Sequence, residues 1–389
     1  MAMSKIVFMT NSLSSGGAEK VVTVLLNKLS ELSIEIELIC LEHNDFYYLS
    51  EGIKRTYLSG FTGKEGGVKK LFTLPLLAWK LKQYIKKENI ILVQSHLYRS
   101  NYINILAKLF GSPHNVQIVN AGTISKYNNE GLLGKINLFL IKYLYPKADL
   151  IILKSQGMQH DMQKLFDFKC KNIVINNPYD IKKIEYLKKE NIIDFNFRAD
   201  KKYLISVGRF ETFKKQDLII RSIKELKSKN DIELILIGEG IKKGKLIQLS
   251  KELGVANKVH FLGRVSNPYK YIARSDVYVL SSENGEGFPN VLMEAMICRT
   301  PVVSSDCLSG PREILAPDTD VDFQLKEGVE KAKYGILFPV GDVNSLSEAI
   351  KLVLDDNPLR EEYKEKAYQR AYDFSVEKII EKYKKVLNV

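Results

Sequence analysis

Short runs of β-branched and aliphatic residues alternate along the chain with longer stretches in which apolar residues recur at helical spacing. In the first half the strand-like runs fall at 6–10, 36–41, 91–94, 116–119, 150–153 and 173–175, with helices predicted over 18–32 and 101–110. A second series follows at 203–207, 233–237, 259–262, 277–280, 302–304 and 336–338, again with helices between the runs. Alternation of this kind predicts α/β domains in which a parallel sheet is covered by helices on both faces. Two series imply two Rossmann-like domains with a cleft between them. The turn-rich NNPYD at 176–180 is the predicted hinge, which places one domain at 1–177 and the other at 178–373. Near the end, Ile379, Ile380, Tyr383 and Val386 recur at helical spacing, so a last helix packs on something.

Composition narrows the class. A chain of 389 residues that is 45% hydrophobic can bury two cores. Cys40, Cys170, Cys298 and Cys307 lie far apart and form no C-x-x-C pair, which points to a reducing cytosol. The opening KIVFMT reads as a strand without a secretory signal pattern, and no apolar run reaches the roughly 18 residues of a membrane helix. The formal charge of +12 admits nucleic acid, an anionic membrane or an anionic substrate. With no arginine-rich tail, zinc-finger, RNP-type or heptad pattern, nucleic acid is not an expected partner. Lysine interleaves with Leu, Phe, Tyr and Trp79 in residues 68–87 and 134–147. Each segment is either a basic amphipathic surface for anionic lipid or a core helix with outward lysines.

Candidate chemistry concentrates in YVLSSENGEGFPNVLMEA, residues 278–295. It reads as a buried strand, an acidic glycine loop containing Gly287 and Phe288, and a helix opened by Pro289, whose missing N–H is not needed there. The amides of Asn290 and Val291 can then receive an anion, which the helix dipole favours. Glu286 precedes this pocket and Glu294 lies inside the helix, roughly 7 Å beyond its start at about 1.5 Å per residue. Two carboxylates beside a phosphate site suggest a ligand with sugars on both sides of its phosphates, such as a nucleotide-sugar. In SVGRFETFKKQ at 206–216, Arg209 and Lys214 put two cations at a strand end, where they can neutralise a departing diphosphate in place of a metal. The one D-x-D pattern, Asp318, Asp320 and Asp322, sits in a polar insertion and reads as a solvated loop, so no essential metal is expected. The loop NSLSSGGAEK, with Gly16 and Gly17, opens the first helix but matches neither the dinucleotide nor the P-loop pattern. Glu42, near the end of the second strand, imitates a ribose-binding acid. SHLYRSN at 95–101 places His96, Tyr98 and Arg99 at a strand end.

EGFPNVLMEA with its E-x7-E spacing resembles the signature of the retaining GT-B glycosyltransferases, the family 4-like group rich in bacterial lipopolysaccharide, capsule and lipid-linked oligosaccharide enzymes. GR followed by K, IGEG at 237–240, FLGRV at 261–265 and GGAE occur in matching order. The resemblance implies a GT-B architecture, with a terminal helix at 374–389 completing the first domain. It implies transfer from a nucleotide-diphosphate sugar, a UDP-sugar, to a growing surface glycan on lipid or lipopolysaccharide, without cofactor or essential metal. The enzyme would be cytoplasmic, at the inner face of the plasma membrane and in peripheral contact with anionic lipid. It assigns Glu286, Arg209 and Lys214 to catalysis. Gly16, Gly17, Arg264, Val265, Gly287, Phe288, Asn290, Val291 and Glu294 would bind donor, and His96 and Thr123 would meet acceptor or sugar. Where many family members carry a histidine at the next strand end, this chain reads IVNAGTIS, with Gly122 and Thr123. A nucleotide-sugar 2-epimerase of similar fold and a non-catalytic sugar-nucleotide or membrane-binding module are the alternatives.

Overall fold

The computed structural model describes residues 5–32, 34–226, 231–283 and 285–389. The chain divides into one compact unit of Met1–Tyr179 with Phe374–Val389 and a second of Asp180–Asp373. In the first unit, β1 (Ile6–Thr10), β2 (Ile36–Glu42), β3 (Lys54–Phe61), β4 (Leu92–His96), β5 (Asn115–Val119), β6 (Leu150–Leu153) and β7 (Asn172–Val174) form one sheet. Its order is β3-β2-β1-β4-β5-β6-β7 and every pairing is parallel. The order reverses between β1 and β4, the kind of crevice in which open α/β sheets hold ligands.

β1 and β6 read as nearly unbroken apolar runs because both of their faces are covered. Val7 and Met9 of β1 enter a core with Leu77, Leu81 and Ile103, while Ile6 and Phe8 enter another with Leu25, Leu29, Ile379 and Tyr383. The terminal helix Val376–Leu387 buries Val376, Ile379, Ile380, Tyr383 and Leu387. At about 1.5–3 kcal/mol per large apolar side chain, that burial makes the helix part of this unit. The unit boundary lies after Tyr179 rather than at 177 for a local reason. Tyr179 N donates to Phe374 O at 3.0 Å and Val376 N donates to Tyr179 O at 2.8 Å, tying Tyr179 to the returning chain. The strand β3 escaped the sequence reading because, of KRTYLSGF, only Leu58 is buried.

The second unit holds β8 (Lys201–Val207), β9 (Asp231–Ile237), β10 (Val259–Gly263), β11 (Val277–Leu280), β12 (Val302–Ser305), β13 (Glu330–Ala332) and β14 (Gly335–Phe338). Their order is β10-β9-β8-β11-β12-β14-β13, reversing between β8 and β11. One pair departs from the parallel expectation. β13 and β14 are antiparallel, with Ala332 opposite Gly335, because so short a connection can join only antiparallel strands.

Beneath the terminal helix, Lys154 Nζ donates to Tyr383 Oη at 2.6 Å, and Gln117 Nε2 donates to Val386 O at 2.6 Å. Burial disfavours the charged ammonium and pulls the Lys154 pKa down from 10.5 to about 7. Between those values the unfolded chain binds a proton that the folded chain does not, so this group makes stability rise with pH through the window and withdraws that gain as pH falls to about 7. Lys154→Met is expected to flatten that rise in urea unfolding measured across the window; an unaltered slope would count against a neutral buried lysine.

Candidate active site

The second unit gathers charge where β8 and β11 end. Gly208 N donates to Ile237 O at 2.9 Å, and Gly238 N donates to Gly263 O at 2.8 Å, so the loops after β8, β9 and β10 are joined backbone to backbone. A Cβ on Gly238, at φ +147°, would lie 1.9 Å from Gly208 O, which is why glycine stands there. These contacts leave Arg209 and Arg264 exposed and Val265 half-buried along the carboxyl edge. Tyr278 Oη donates to Val207 O at 3.2 Å, tying β11 to the end of β8.

Lys214 sits in a turn, Thr212–Lys214, followed by Lys215 in the left-handed region at φ 49°. Ser281 Oγ reaches both Lys214 O and Lys215 O at 2.8 Å, and Glu283 N donates to Phe213 O at 2.7 Å. Lys215 Nζ completes the clasp at 2.9 Å from Glu283 Oε1. The turn is thus stapled to the end of β11 at several points. Lys214 Nζ then donates to Glu286 Oε1 at 2.5 Å, and Ser282 Oγ donates to the same oxygen at 2.6 Å. Burial pushes the Glu286 carboxyl up. The Lys214 charge, hydrogen bonds from Lys214 and Ser282, and the Arg209 charge outweigh it and hold the group below the usual carboxylate range. Glu286 is therefore an ionised carboxylate inside protein, compensated from the β8 side.

Beyond it the chain turns into the helix Asn290–Ile297, with Pro289 as its N-cap rather than its first helical residue. Phe288 and Glu294 are buried, and Asn290 and Val291 are half-buried at the helix start. Ser309 Oγ donates to Gly287 O at 3.0 Å, and Gly310 passes so close that a Cβ there would lie 2.5 Å from Pro289 Cδ. Ser305 Oγ donates to Ser282 O at 2.5 Å. Behind this turn, the buried Arg312 forks onto Asp306, with Nη2 2.6 Å from Oδ2, and also reaches Glu330 at 2.8 Å. Ser281, Ser282, Ser305 and the Asp306–Arg312 pair are functional residues that no motif in the sequence singles out. The two serines ahead of ENGEG were the available signal.

The structure thus brings Arg209, Lys214, Glu286, Gly287, Phe288, Asn290, Val291 and Glu294 to the carboxyl ends of β8 and β11, with Arg264 and Val265 beyond the edge strand β10. Gly16, Gly17, His96 and Thr123 lie in the first unit. Gly16 is the N-cap of the helix Gly17–Ser30, and Gly17 is exposed. His96 is buried, with Nε2 3.2 Å from Gln94 Oε1 and its ring stacked on Phe8. Burial first, and the nearby Lys154 charge second, hold it well below the ordinary histidine range and therefore neutral. Thr123 is also buried. Glu42 does not stand as an open ribose-binding acid, because Arg99 and Lys70 are bound to it. Asp318, Asp320 and Asp322 are exposed, Asp318 pairing with Lys333 at 2.8 Å.

A two-part match to known families follows the two units. The model described as Glycosyltransferase Family 4 covers residues 15–183, and that described as Glycosyl transferases group 1 covers 188–370. The chain is 35% identical to a Campylobacter jejuni N-acetylgalactosamine-N,N'-diacetylbacillosaminyl-diphospho-undecaprenol 4-alpha-N-acetylgalactosaminyltransferase, over 97% of both chains. It belongs to the GT-B glycosyltransferases of bacterial surface-polysaccharide type. A second Campylobacter jejuni enzyme, a GalNAc-alpha-(1->4)-GalNAc-alpha-(1->3)-diNAcBac-PP-undecaprenol alpha-1,4-N-acetyl-D-galactosaminyltransferase, is 26% identical to this glycosyltransferase, covering 99% of this chain and 98% of the relative. Among solved structures, Thermosynechococcus elongatus sucrose-phosphate synthase superposes with a TM-score of 0.81 at 18% identity, covering 99% of this chain and 98% of the other. Anabaena HepE in complex with UDP gives 0.74 at 20% identity, over 99% of both. These two show the shared fold.

The close approach at Gly310 can be tested by comparing two alanine substitutions at positive φ. Gly328, at φ +69°, has open space around it, so Gly328→Ala is expected to cost only the conformational part, about 1–2 kcal/mol. Gly310→Ala must also displace Pro289 and is expected to lower the urea midpoint further. Equal losses would mean that Pro289 is not held there.

Proposed function

We propose that this glycosyltransferase retains anomeric configuration and moves a hexose or N-acetylhexosamine from a UDP-sugar to a bacterial surface glycan carried on lipid or lipopolysaccharide. The observation that carries the reading is the ionised, buried Glu286, held by Lys214 and Ser282 within the field of Arg209 and just ahead of a helix start. As the glycosidic bond breaks, the departing nucleoside diphosphate gains negative charge. Arg209, Lys214 and the amides of Asn290 and Val291 stabilise it, the electrostatic work that often dominates catalysis. Two cations do what a divalent ion would otherwise do, so no essential metal is invoked. Glu294 holds ribose hydroxyls, and the loop backbone around Arg264 and Val265 lines the base. Glu286 holds donor-sugar hydroxyls and orients the anomeric carbon for attack from the face the diphosphate leaves. Thr123 and His96 belong to the sugar or acceptor region.

The named activities of the two Campylobacter relatives support an acceptor linked through diphosphate to a polyprenol, and the HepE complex supports UDP. Among the described residues no helix is long and apolar enough to cross a membrane. The helices Gly67–Phe72, Leu74–Glu88 and Gly131–Leu144 instead carry exposed Phe72, Trp79, Leu132 and Phe139 among lysines. This surface suits peripheral contact with anionic lipid at the cytoplasmic face of the membrane.

Glu286→Gln is expected to lower turnover by about 100-fold to 1,000-fold while leaving UDP affinity nearly unchanged. Chelation of divalent ions is expected to leave the rate intact. Undiminished turnover in the variant would reject the role of Glu286, and loss of rate on chelation would reject metal independence.

A further inference from the structure

The first unit holds a second charged cluster that the donor chemistry does not use. It lies beyond the carboxyl ends of β2 and β4, beside the reversal between β1 and β4 where α/β sheets hold ligands. Arg99 Nη2 is 2.5 Å and Lys70 Nζ is 2.8 Å from one oxygen of Glu42, Oε1. Two cations share this carboxylate; Lys70 Nζ also donates to Gly63 O at 3.0 Å, and its charge acts on the Glu65 carboxylate as well. Arg99 and Glu42 are more than nine-tenths buried. Despite the short ionic contact, neither Nε nor Nη2 of Arg99 makes a directed hydrogen bond among the described residues. Thr10 Oγ1 and Thr123 Oγ1, at the ends of β1 and beyond β5, are also buried without one. A guanidinium is shaped to grip an oxyanion with two parallel N–H groups, and here Nη2 meets Glu42 only as an ion pair while Nε makes no hydrogen bond among the described residues. The residue that sets Arg99 in place, Leu97, is held at φ 71°, where a leucine is strained.

The surroundings say which anion fits. Lys70 belongs to the helix Gly67–Phe72, which buries none of its side chains and exposes Val68 and Phe72. A Cβ on Gly67 would be 4.0 Å from Leu133 Cδ1, so this helix lies against Gly131–Leu144, where Leu132 and Leu133 are exposed. Segments that are far apart in sequence thus form one apolar and basic face, and one of its lysines is the cation that turns inward to Glu42. We infer that Arg99 and Lys70 form the receptor for the diphosphate of a lipid-linked acceptor, whose first isoprene units rest on the exposed apolar side chains of this face. Glu42 holds the two cations apart and ready when the acceptor is absent, and yields them to the diphosphate. The inference rests on the lipid-linked acceptor proposed above and names the residues that recognise its anionic end.

The test uses the full chain saturated with UDP, so that the donor phosphate site is filled, and titrates farnesyl diphosphate, inorganic pyrophosphate and farnesol by calorimetry. Farnesyl diphosphate is expected to bind more tightly than either of the others. Arg99→Gln and Lys70→Gln are each expected to weaken it by about 10-fold or more, with UDP affinity unchanged. Glu42→Gln is expected to tighten it, because a competing carboxylate is gone, whereas a merely structural triad would make all three substitutions act in the same direction. Lys70 lies on a helix with no buried side chain, so Lys70→Gln decides the matter even where Arg99→Gln fails to fold. Unchanged farnesyl diphosphate affinity in Lys70→Gln, weakening in Glu42→Gln, or equal binding of pyrophosphate alone would overturn the inference. Failure of the donor reading shows differently, as no UDP binding by the unsubstituted chain, and the same titrations without UDP then distinguish the same outcomes.

Discussion

Burying the Glu286 carboxylate is the constraint around which the second unit is built. A lone carboxylate moved out of water is strongly disfavoured, and one partner is seldom enough unless the remaining lone pairs are also satisfied. Here an ammonium and a hydroxyl share one oxygen, and a guanidinium adds its field. The ammonium can reach that oxygen because its turn is fastened to the end of β11 by Ser281 and Glu283. The serines of the LSSENGEG stretch therefore act on both sides of the ion pair: Ser281 fixes the backbone that carries the cation, and Ser282 fixes the anion.

That arrangement tolerates little movement, which accounts for the glycines around it. Gly238 lets the β9 loop pass against Gly208, and Gly310 lets the loop after β12 lie on Pro289, in each case where a methyl group would collide with neighbouring atoms. The Asp306–Arg312 fork then braces the loop that presents Gly310. Membership of the GT-B family explains why the fold recurs in solved structures below 25% identity. The close approaches show what this chain must preserve locally for its charges to meet. Fold and site are thus specified by different residues, long apolar runs for the first and a few glycines, serines and charged side chains for the second.

Most of the architecture was legible because a strand covered on both faces leaves an apolar run that stands out against amphipathic helices. What stayed hidden were elements lacking that signature: β3, with Leu58 alone buried, and the three-residue β13. In the site, residue types and spacing, read together with the family resemblance, pointed to Arg209, Lys214, Glu286 and Glu294. Spacing could not show that Lys214 and Glu286 share a hydrogen bond, since 72 positions separate them and only the β8–β11 pairing brings them together. Glu42 shows how little a lone acid at a strand end decides. An acid at the end of a second strand suits a ribose, but Arg99 and Lys70 arrive from distant segments and give it another task.

The two charged clusters differ in how they are satisfied, and the difference has a chemical meaning. Lys214 and Ser282 make directed hydrogen bonds to Glu286, so the carboxylate keeps its place and charge without any ligand. Such a group can act on a substrate only through lone pairs still available to hydroxyls, which suits a residue that orients a sugar. Arg99 has Coulombic attraction to Glu42 without aligned N–H donors, so its electrostatic needs are met while its directional ones are not. Charge attraction falls slowly with distance and survives rearrangement, whereas hydrogen bonds are lost on small rotations. A carboxylate held by attraction, as Glu42 is by Arg99 and Lys70, can therefore give way to another anion at smaller cost than one held by aligned hydrogen bonds.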